Sequence, residues 1–295
     1  MDTHRTPVPE SPLPPPVLDA RLPDAIALAA EDLGVKKAHY DTATLFALAV
    51  LAGAFIALGG LFATVTMSGA EGMLPYGLTR LLGGLVFSLG LVLVIVGGAQ
   101  LFTGDTLMVM AWASGRLTTG AMLRVWTTVW VGNFVGAAGT AVLVFLSGQY
   151  TVGHGAVGAQ ALYFATAKAG LPMGQAFFLG ILCNVLVCLA VWLALGARSV
   201  SDKILAIVFP VSAFVAAGFE HCVANMYFVP LGLLMQWGAP DAFWADLGRA
   251  APSIPVGGFL LNLAAVTLGN WIGGALLVGG VYWFIYRRPS RRTHH

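Results

Sequence analysis

Apolar runs of membrane-crossing length alternate along this chain with short polar connectors. The first extends from about Ala43 to Ser68 and holds no charged residue. The second opens near Leu81 and stays apolar to Ala99. It is interrupted by Gln100–Leu101–Phe102–Thr103–Gly104–Asp105–Thr106 and resumes over Leu107–Ala113. The third covers about Met122 to Leu146 and the fourth Met173–Leu195. The fifth comes in two pieces, Ile204–Phe219 and Met226–Trp237, parted by an acid, an imidazole and an amide at Glu220, His221 and Asn225. At ~1.5 Å per residue these two pieces together make about one crossing helix. The sixth runs from about Gly257 to Tyr286. Since about twenty apolar residues cross the hydrocarbon layer, the pattern predicts six spans, the second and fifth of them broken.

The connectors carry less regular signals. Asp24 to about Val35 has apolar residues at helical spacing, Ile26, Ala27, Ala30 and Leu33, with Asp24 available as a cap. This predicts a short helix that either lies in the membrane interface or packs on the bundle. Residues 147–172 read as a polar, glycine-containing connector. The stretch holding Pro240, Pro252 and Pro255 reads as re-entrant or extramembrane.

Composition agrees with the pattern. Of 295 residues, 58% are hydrophobic and 9% charged, against about 25% charged in soluble domains. The chain is therefore an all-α, polytopic membrane protein, and neither a soluble enzyme nor a nucleic-acid-binding module fits it. Cys183, Cys188 and Cys222 all lie in apolar runs and form no CxxC pair, so no disulfide framework, metal site or cofactor is expected. The first 23 residues include Pro7, Pro9, Pro12, Pro14, Pro15, Pro16 and Pro23, a composition that does not fold alone. The expected division is residues 1–42 as tail and short helix, 43–286 as the six-span domain and 287–295 as a basic terminus.

Basic residues set the expected orientation. Six spans place Arg5, Arg21, Lys36, Lys37, Arg116, Arg124, Arg198, Lys203, Arg287, Arg288, Arg291 and Arg292 on one side, and only Arg80, Lys168 and Arg249 on the other. Both termini are therefore expected in the cytoplasm, the protein lying in the inner (plasma) membrane.

The two halves repeat one order: a broken span, then a span with G-N-x-x-G, Gly132–Gly136 in the first half and Gly269–Gly273 in the second. With three spans per half, the repeats must be inverted. Inverted repeats with discontinuous helices put a permeation site near the midplane. Half-helices starting near Asp105 and Asn225 would turn free N–H groups toward that centre, where they favour an anion. Asp105 is expected to cap its half-helix. The GNxxG glycines, and their asparagines with them, read as close helix packing. Ionisable groups at membrane depth face a cavity or a partner rather than lipid, which makes His221 the expected functional centre. An intramembrane enzyme using Glu220 and His221 as acid and base is the alternative from another class, and it lacks a nucleophile or metal set.

From about Phe46 to Tyr286 the chain resembles the formate/nitrite transporter family. The resemblance rests on Phe87-Ser-Leu-Gly, Leu101-Phe-Thr, Ala113-Ser-Gly-Arg, Gly132-Asn, Gly180-Ile-Leu-Cys-Asn, Val187-Cys-Leu-Ala-Val-Trp, Gly218-Phe-Glu-His, Ala224-Asn-Met and Gly269-Asn-Trp-Ile-Gly-Gly. It implies an aquaporin-like protomer, a homopentamer with one pore per protomer, and passage of small monovalent anions. Formate is the expected substrate, with nitrite or hydrosulfide as alternatives. It further implies that Leu91 and Phe214 line a cytoplasmic constriction and Phe87, Phe102 and Val187 a periplasmic one. Thr103 would face His221 between them, with Lys168, Asn184, Glu220 and Asn225 as polar support. The acidic Asp105 departs from the family pattern.

Overall fold

The computed structural model describes residues 19–288. The six prolines from Pro7 to Pro16, Arg5, Arg291 and Arg292 lie outside the described residues, as does the rest of the 289–295 terminus. Six helical stretches are long and apolar enough to cross a membrane. In chain order the helices are α1 (Pro23–Ala38), α2 (Thr42–Met67), α3 (Tyr76–Gly97), α4 (Phe102–Asp105), α5 (Val109–Ala113), α6 (Thr119–Leu146), α7 (Ala156–Ala169), α8 (Met173–Gly196), α9 (Val200–Ala217), α10 (Cys222–Gly238), α11 (Asp241–Asp246), α12 (Val256–Trp271) and α13 (Val281–Tyr286). A single 3-10 turn, Thr106–Met108, joins α4 to α5. A nine-residue π-helical stretch, Ile272–Gly280, joins α12 to α13, so the last span is continuous.

The halves pack alike. α2 lies between α3 and α6, and α8 lies between α9 and α12. Side-chain-free positions bring the paired backbones together: a Cβ on Gly136 would overlap the Val50 carbonyl, and one on Gly273 the Ile181 carbonyl. That confirms the packing role expected of the GNxxG glycines.

Neither broken span is a helix cut in the middle. α3 and α9 have 22 and 18 residues, about 33 and 27 Å at ~1.5 Å per residue, so each crosses the apolar layer by itself. Each ends on a left-handed glycine, Gly98 (φ 84°) and Gly218 (φ 76°), a conformation that a Cβ opposes. The chain then turns back into the interior, and a second helix starts there, α4 at Phe102 and α10 at Cys222.

The connector 147–172, read from its sequence as polar, contains a helix whose residues are mostly apolar. Val157, Ala161, Leu162, Phe164 and Ala165 of α7 are buried, and α7 packs on α10.

Of the two expectations for α1, packing on the bundle is the one seen. The helix packs on the end of the bundle formed by α5, α8, α13 and the 3-10 turn. It starts at Pro23, a favoured first helical position, after an N-cap at Leu22 that makes no side-chain cap. Asp24 sits in the first turn and is not the cap. The buried carboxylate of Glu31 fastens the helix. It accepts hydrogen bonds from Ser114 Oγ (2.5 Å), Arg116 Nη1 (3.2 Å) and Arg287 Nε and Nη2 (2.9 and 3.1 Å). α1, the turn after α5 and the end of α13 thus meet at one end of the bundle, called proximal below. Arg21 donates to Leu195 O at 2.6 Å and joins the end of α8 to the same side. Arg80 marks the distal end, where it donates to the carbonyls of Val215 and Ala216, the last turn of α9.

Burial pushes the Glu31 carboxyl up, and the bonds from Arg287, Ser114 and Arg116 more than offset it, so its pKa lies below the ordinary 4.5. A carboxylate with a lowered folded pKa stabilises the fold above its unfolded value and loses that contribution as pH falls through the folded one. The proximal knot should therefore hold from neutrality down to about pH 4.5 and loosen below it. Glu31→Gln removes the charge from hydrogen bonds worth about 1–3 kcal/mol in all. It should lower the melting temperature of detergent-solubilised protein at pH 7 and bring it closer to wild type near pH 3. Equal melting of the two proteins at pH 7 would refute a stabilising knot.

Candidate functional site

Two asparagines, one per half, hold the breaks. Asn133 Oδ1 accepts the Phe102 amide at 2.9 Å, and its Nδ2 donates to Ala49 O (2.8 Å) and Gln100 O (2.9 Å). Asn270 Oδ1 accepts the Cys222 amide at 2.9 Å, and its Nδ2 donates to Gly180 O (2.7 Å) and Glu220 O (2.9 Å). Each set joins the first residue of an inner helix, the loop before it and the facing span. An interrupted helix leaves backbone groups unpaired, and no water in the bilayer core serves them. A side-chain amide offers one acceptor and two donors in a compact group, which is what each break lacks. The asparagines are therefore not packing residues, as expected from the sequence, but clamps on the broken backbone.

The clamped loops bring Thr103 and His221 together, with Thr103 Oγ1 at 3.2 Å from His221 Nε2. Both residues are buried. His221 is itself the N-cap of α10: its Nδ1 accepts the Ala224 amide at 3.2 Å. That bond occupies the Nδ1 lone pair, so the ring is the neutral tautomer with its proton on Nε2, aimed at Thr103. The inner helices accordingly begin at Phe102 and Cys222, not near Asp105 and Asn225. Asn184 on α8 braces the other side of Thr103, with Nδ2 at 3.2 Å from both Thr103 O and Thr106 Oγ1 and at 2.6 Å from Asn270 O.

Two cavities approach this pair from opposite ends. The distal one, about 240 Å³, is lined among others by Phe87, Phe214, Lys168, Glu220 and His221. The proximal one, about 290 Å³, is lined by Leu91, Gly104, Tyr40, Lys36, Lys37 and Lys203. Phe102 and Val187 are buried and line neither. The resemblance put Leu91 and Phe214 at one constriction; Leu91 lines the proximal cavity and Phe214 the distal one. The Phe214 ring lies 5.7 Å from that of Phe87, edge to face. It also lies 6.0 Å from the His221 ring, so Phe214, in the last turn of α9, sits beside the central pair.

The polar residues fall into two groups. Lys168 Nζ meets Glu220 Oε1 at 2.8 Å, and Glu220 Oε2 accepts Asn225 Nδ2 at 2.6 Å, which also donates to Asn262 Oδ1 at 2.8 Å. Glu220 thus bonds Lys168 and Asn225 and not the His221 ring. At the proximal end Asp105 does not cap a helix start. It closes α4, and its buried carboxylate forms an ion pair with Lys37 of α1. Asn262 carried no signal in the sequence, and Lys37 none beyond its charge, because each acts through a partner far along the chain. Asn133 and Asn270 did carry one, the repeated GNxxG order, whose chemistry becomes visible only once the breaks lie beside them.

Comparison with known proteins identifies the class. A model of the formate/nitrite transporter family matches residues 24–284. Formate channel FocA of Escherichia coli strain K12 is 43% identical over 281 residues, 94% of this chain and 98% of the relative. FocA of Haemophilus influenzae is 40% identical over 269 residues, 90% and 93% of the two chains. A solved pentameric formate channel with formate bound superposes with a TM-score of 0.79 at 42% identity, covering 83% of this chain and 97% of that one. A solved ion channel of the same family gives a TM-score of 0.75 at 30% identity, with 90% and 99% covered. The chain is a multi-pass membrane protein and belongs to the formate/nitrite transporter family.

Asn270→Ala removes both halves of the second clamp and leaves buried backbone groups unpaired, at about 1–3 kcal/mol each. Amide hydrogen exchange across 219–225 should rise at least tenfold relative to wild type, with α2 and α3 little changed. Unaltered exchange there would show that the loop holds without Asn270.

Proposed function

We propose that this chain conducts small monovalent anions, formate foremost, through each protomer of a homopentamer, and that it is not an enzyme. The relatives named as formate channels and the pentameric neighbour with formate bound support this. The observation that carries it is the Nε2–H of His221 at Thr103, set between two cavities and flanked by the apolar rings of Phe87, Phe102 and Phe214. With both ends of the described residues, 19 and 288, on the proximal side, the basic rim there (Arg116, Arg124, Arg198, Lys203, Arg287 and Arg288) favours a cytoplasmic proximal face in the inner membrane.

The physical problem is the dry stretch. A bare carboxylate leaving water for an apolar medium meets a penalty of tens of kcal/mol in the ideal limit. A simple carboxylic acid has a pKa near ~4, so protonating it at pH 7 costs about 4 kcal/mol at ~1.4 kcal/mol per unit. A group that donates to the anion on its way reduces the first cost, and one that helps it take a proton replaces it with the second. His221 fits the first task directly. Its Nε2–H points toward the path, Thr103 Oγ1 provides a second hydroxyl donor, and the two accept and hand over one small anion. For Nε2–H to leave with the carboxylate, Nδ1 would have to take up a proton and release the Ala224 amide it caps. We assign Leu91, Phe87, Phe102, Val187 and Phe214 to the apolar walls, and Asn184 and Asn225 to the frame around the pair. Lys168 raises the anion concentration at the distal mouth, with Glu220 as its partner.

Formate flux into proteoliposomes tests the reading; flux of nitrite or hydrosulfide with none of formate would move the substrate assignment to that anion. His221→Phe should cut formate flux at least tenfold at pH 7, and His221→Asn, which keeps a donor, should retain more flux with an altered pH dependence. Wild-type rates and pH dependence in both would remove His221 from the mechanism. Lys168→Gln should lower flux severalfold at about 10 mM ionic strength and little at physiological salt, where screening acts within ~8 Å. A salt dependence equal to wild type would show that Lys168 does not act on the permeating anion.

A further inference from the structure

Each mouth of the path has a lysine, and each lysine is held by an acid. At the distal end Glu220, the residue before His221, binds Lys168. At the proximal end Asp105, two residues after Thr103, binds Lys37. The proximal pair differs in its surroundings. Glu220 has amide partners for its second oxygen, whereas Asp105 Oδ2 is buried without one. The Asp105 side chain is fully enclosed, while that of Lys37 keeps 13% of its surface open on the wall of the proximal cavity, beside Lys36 and Lys203. The Asp105 carboxylate is thus enclosed, and Lys37 is the member of the pair that lines the proximal cavity.

We propose that Asp105 is a tethered competitor of the permeating anion for Lys37, and that it sets how weakly the proximal mouth holds its substrate. This rests on the reading of the chain as a channel for small carboxylates. A formate ion and the Asp105 side chain present the same group, a carboxylate, to the same ammonium. Tethering gives Asp105 an effective concentration in the millimolar range or above without any loss of it to bulk. A free anion reaching Lys37 therefore has to displace a resident one. The ion pair keeps Lys37 from trapping the anion, so the anion leaves quickly toward the proximal solution. Lys36 and Lys203 line the same cavity with no acid on them in the structure's ion pairs among the described residues, and they maintain the positive potential that brings anions to the mouth.

The test is zero-trans formate flux in oriented proteoliposomes, with formate applied to one face at a time. Asp105→Asn frees Lys37 and should lower the half-saturating formate concentration at the proximal face about three- to tenfold, leaving the distal value within about twofold of wild type. In a Lys37→Gln background the same change should have no such effect. Asp105→Ser serves as the second variant where the amide fails to give assembled protein. A half-saturation unchanged at the proximal face, lowered equally at both faces, or lowered also without Lys37 overturns the proposal, the last two because they point to a widened path. A wild type that carries formate while Asp105→Asn behaves like it refutes this proposal alone. A wild type that carries no formate refutes this proposal, and one that carries none of formate, nitrite and hydrosulfide refutes the functional reading beneath it as well.

Discussion

Every feature of the site depends on satisfying the backbone where two helices stop inside an apolar layer. Asn133 and Asn270 do this with the same three bonds, one accepted from the first amide of the inner helix and two donated, to the loop and to the facing span. Without them the loops at Gly98–Leu101 and Gly218–His221 would carry unpaired carbonyls and amides in a medium that offers no substitute. With them, Thr103 and His221 are held at hydrogen-bond distance although 118 positions separate them.

The clamps also explain why the two halves differ chemically while sharing a frame. Register from the asparagine fixes Phe102 and Cys222 as the inner helix starts. The residue before each start is Leu101 in one half and His221 in the other. In the first half the position is apolar and the donor comes from Thr103, two residues onward. In the second the imidazole caps its own helix through Nδ1 and turns Nε2 to Thr103. A symmetrical scaffold thus holds an asymmetric pair of donors in one place.

Charge is kept out of the centre and arranged around it. The ammonium–carboxylate pairs lie one or two residues from the central pair, on opposite sides, while Glu31 with Arg116 and Arg287 closes the proximal end and seats α1 against the start of the path. α1 therefore belongs to the architecture of the proximal mouth: it supplies Lys36 and Lys37 to the cavity wall from its last turn, where basic residues also complement the helix dipole.

The chain's apolar pattern, with the repeated G-N-x-x-G order, determined six spans, two breaks and an inverted repeat, because burial in lipid demands long uncharged runs and an odd number of spans per half forces inversion. His221 was legible for the same reason: an ionisable group in an apolar run needs a purpose. Which face Phe214 serves, what the repeated asparagines bind, and that Asp105 answers a lysine on α1 were decided by tertiary structure. Each depends on a contact between residues distant in sequence, or on where a helix ends in depth, and a one-dimensional pattern records neither. Hydropathy reports that a segment crosses the layer; the left-handed glycines at Gly98 and Gly218 and the amides packed against the loops behind them determine where the chain stops and turns back.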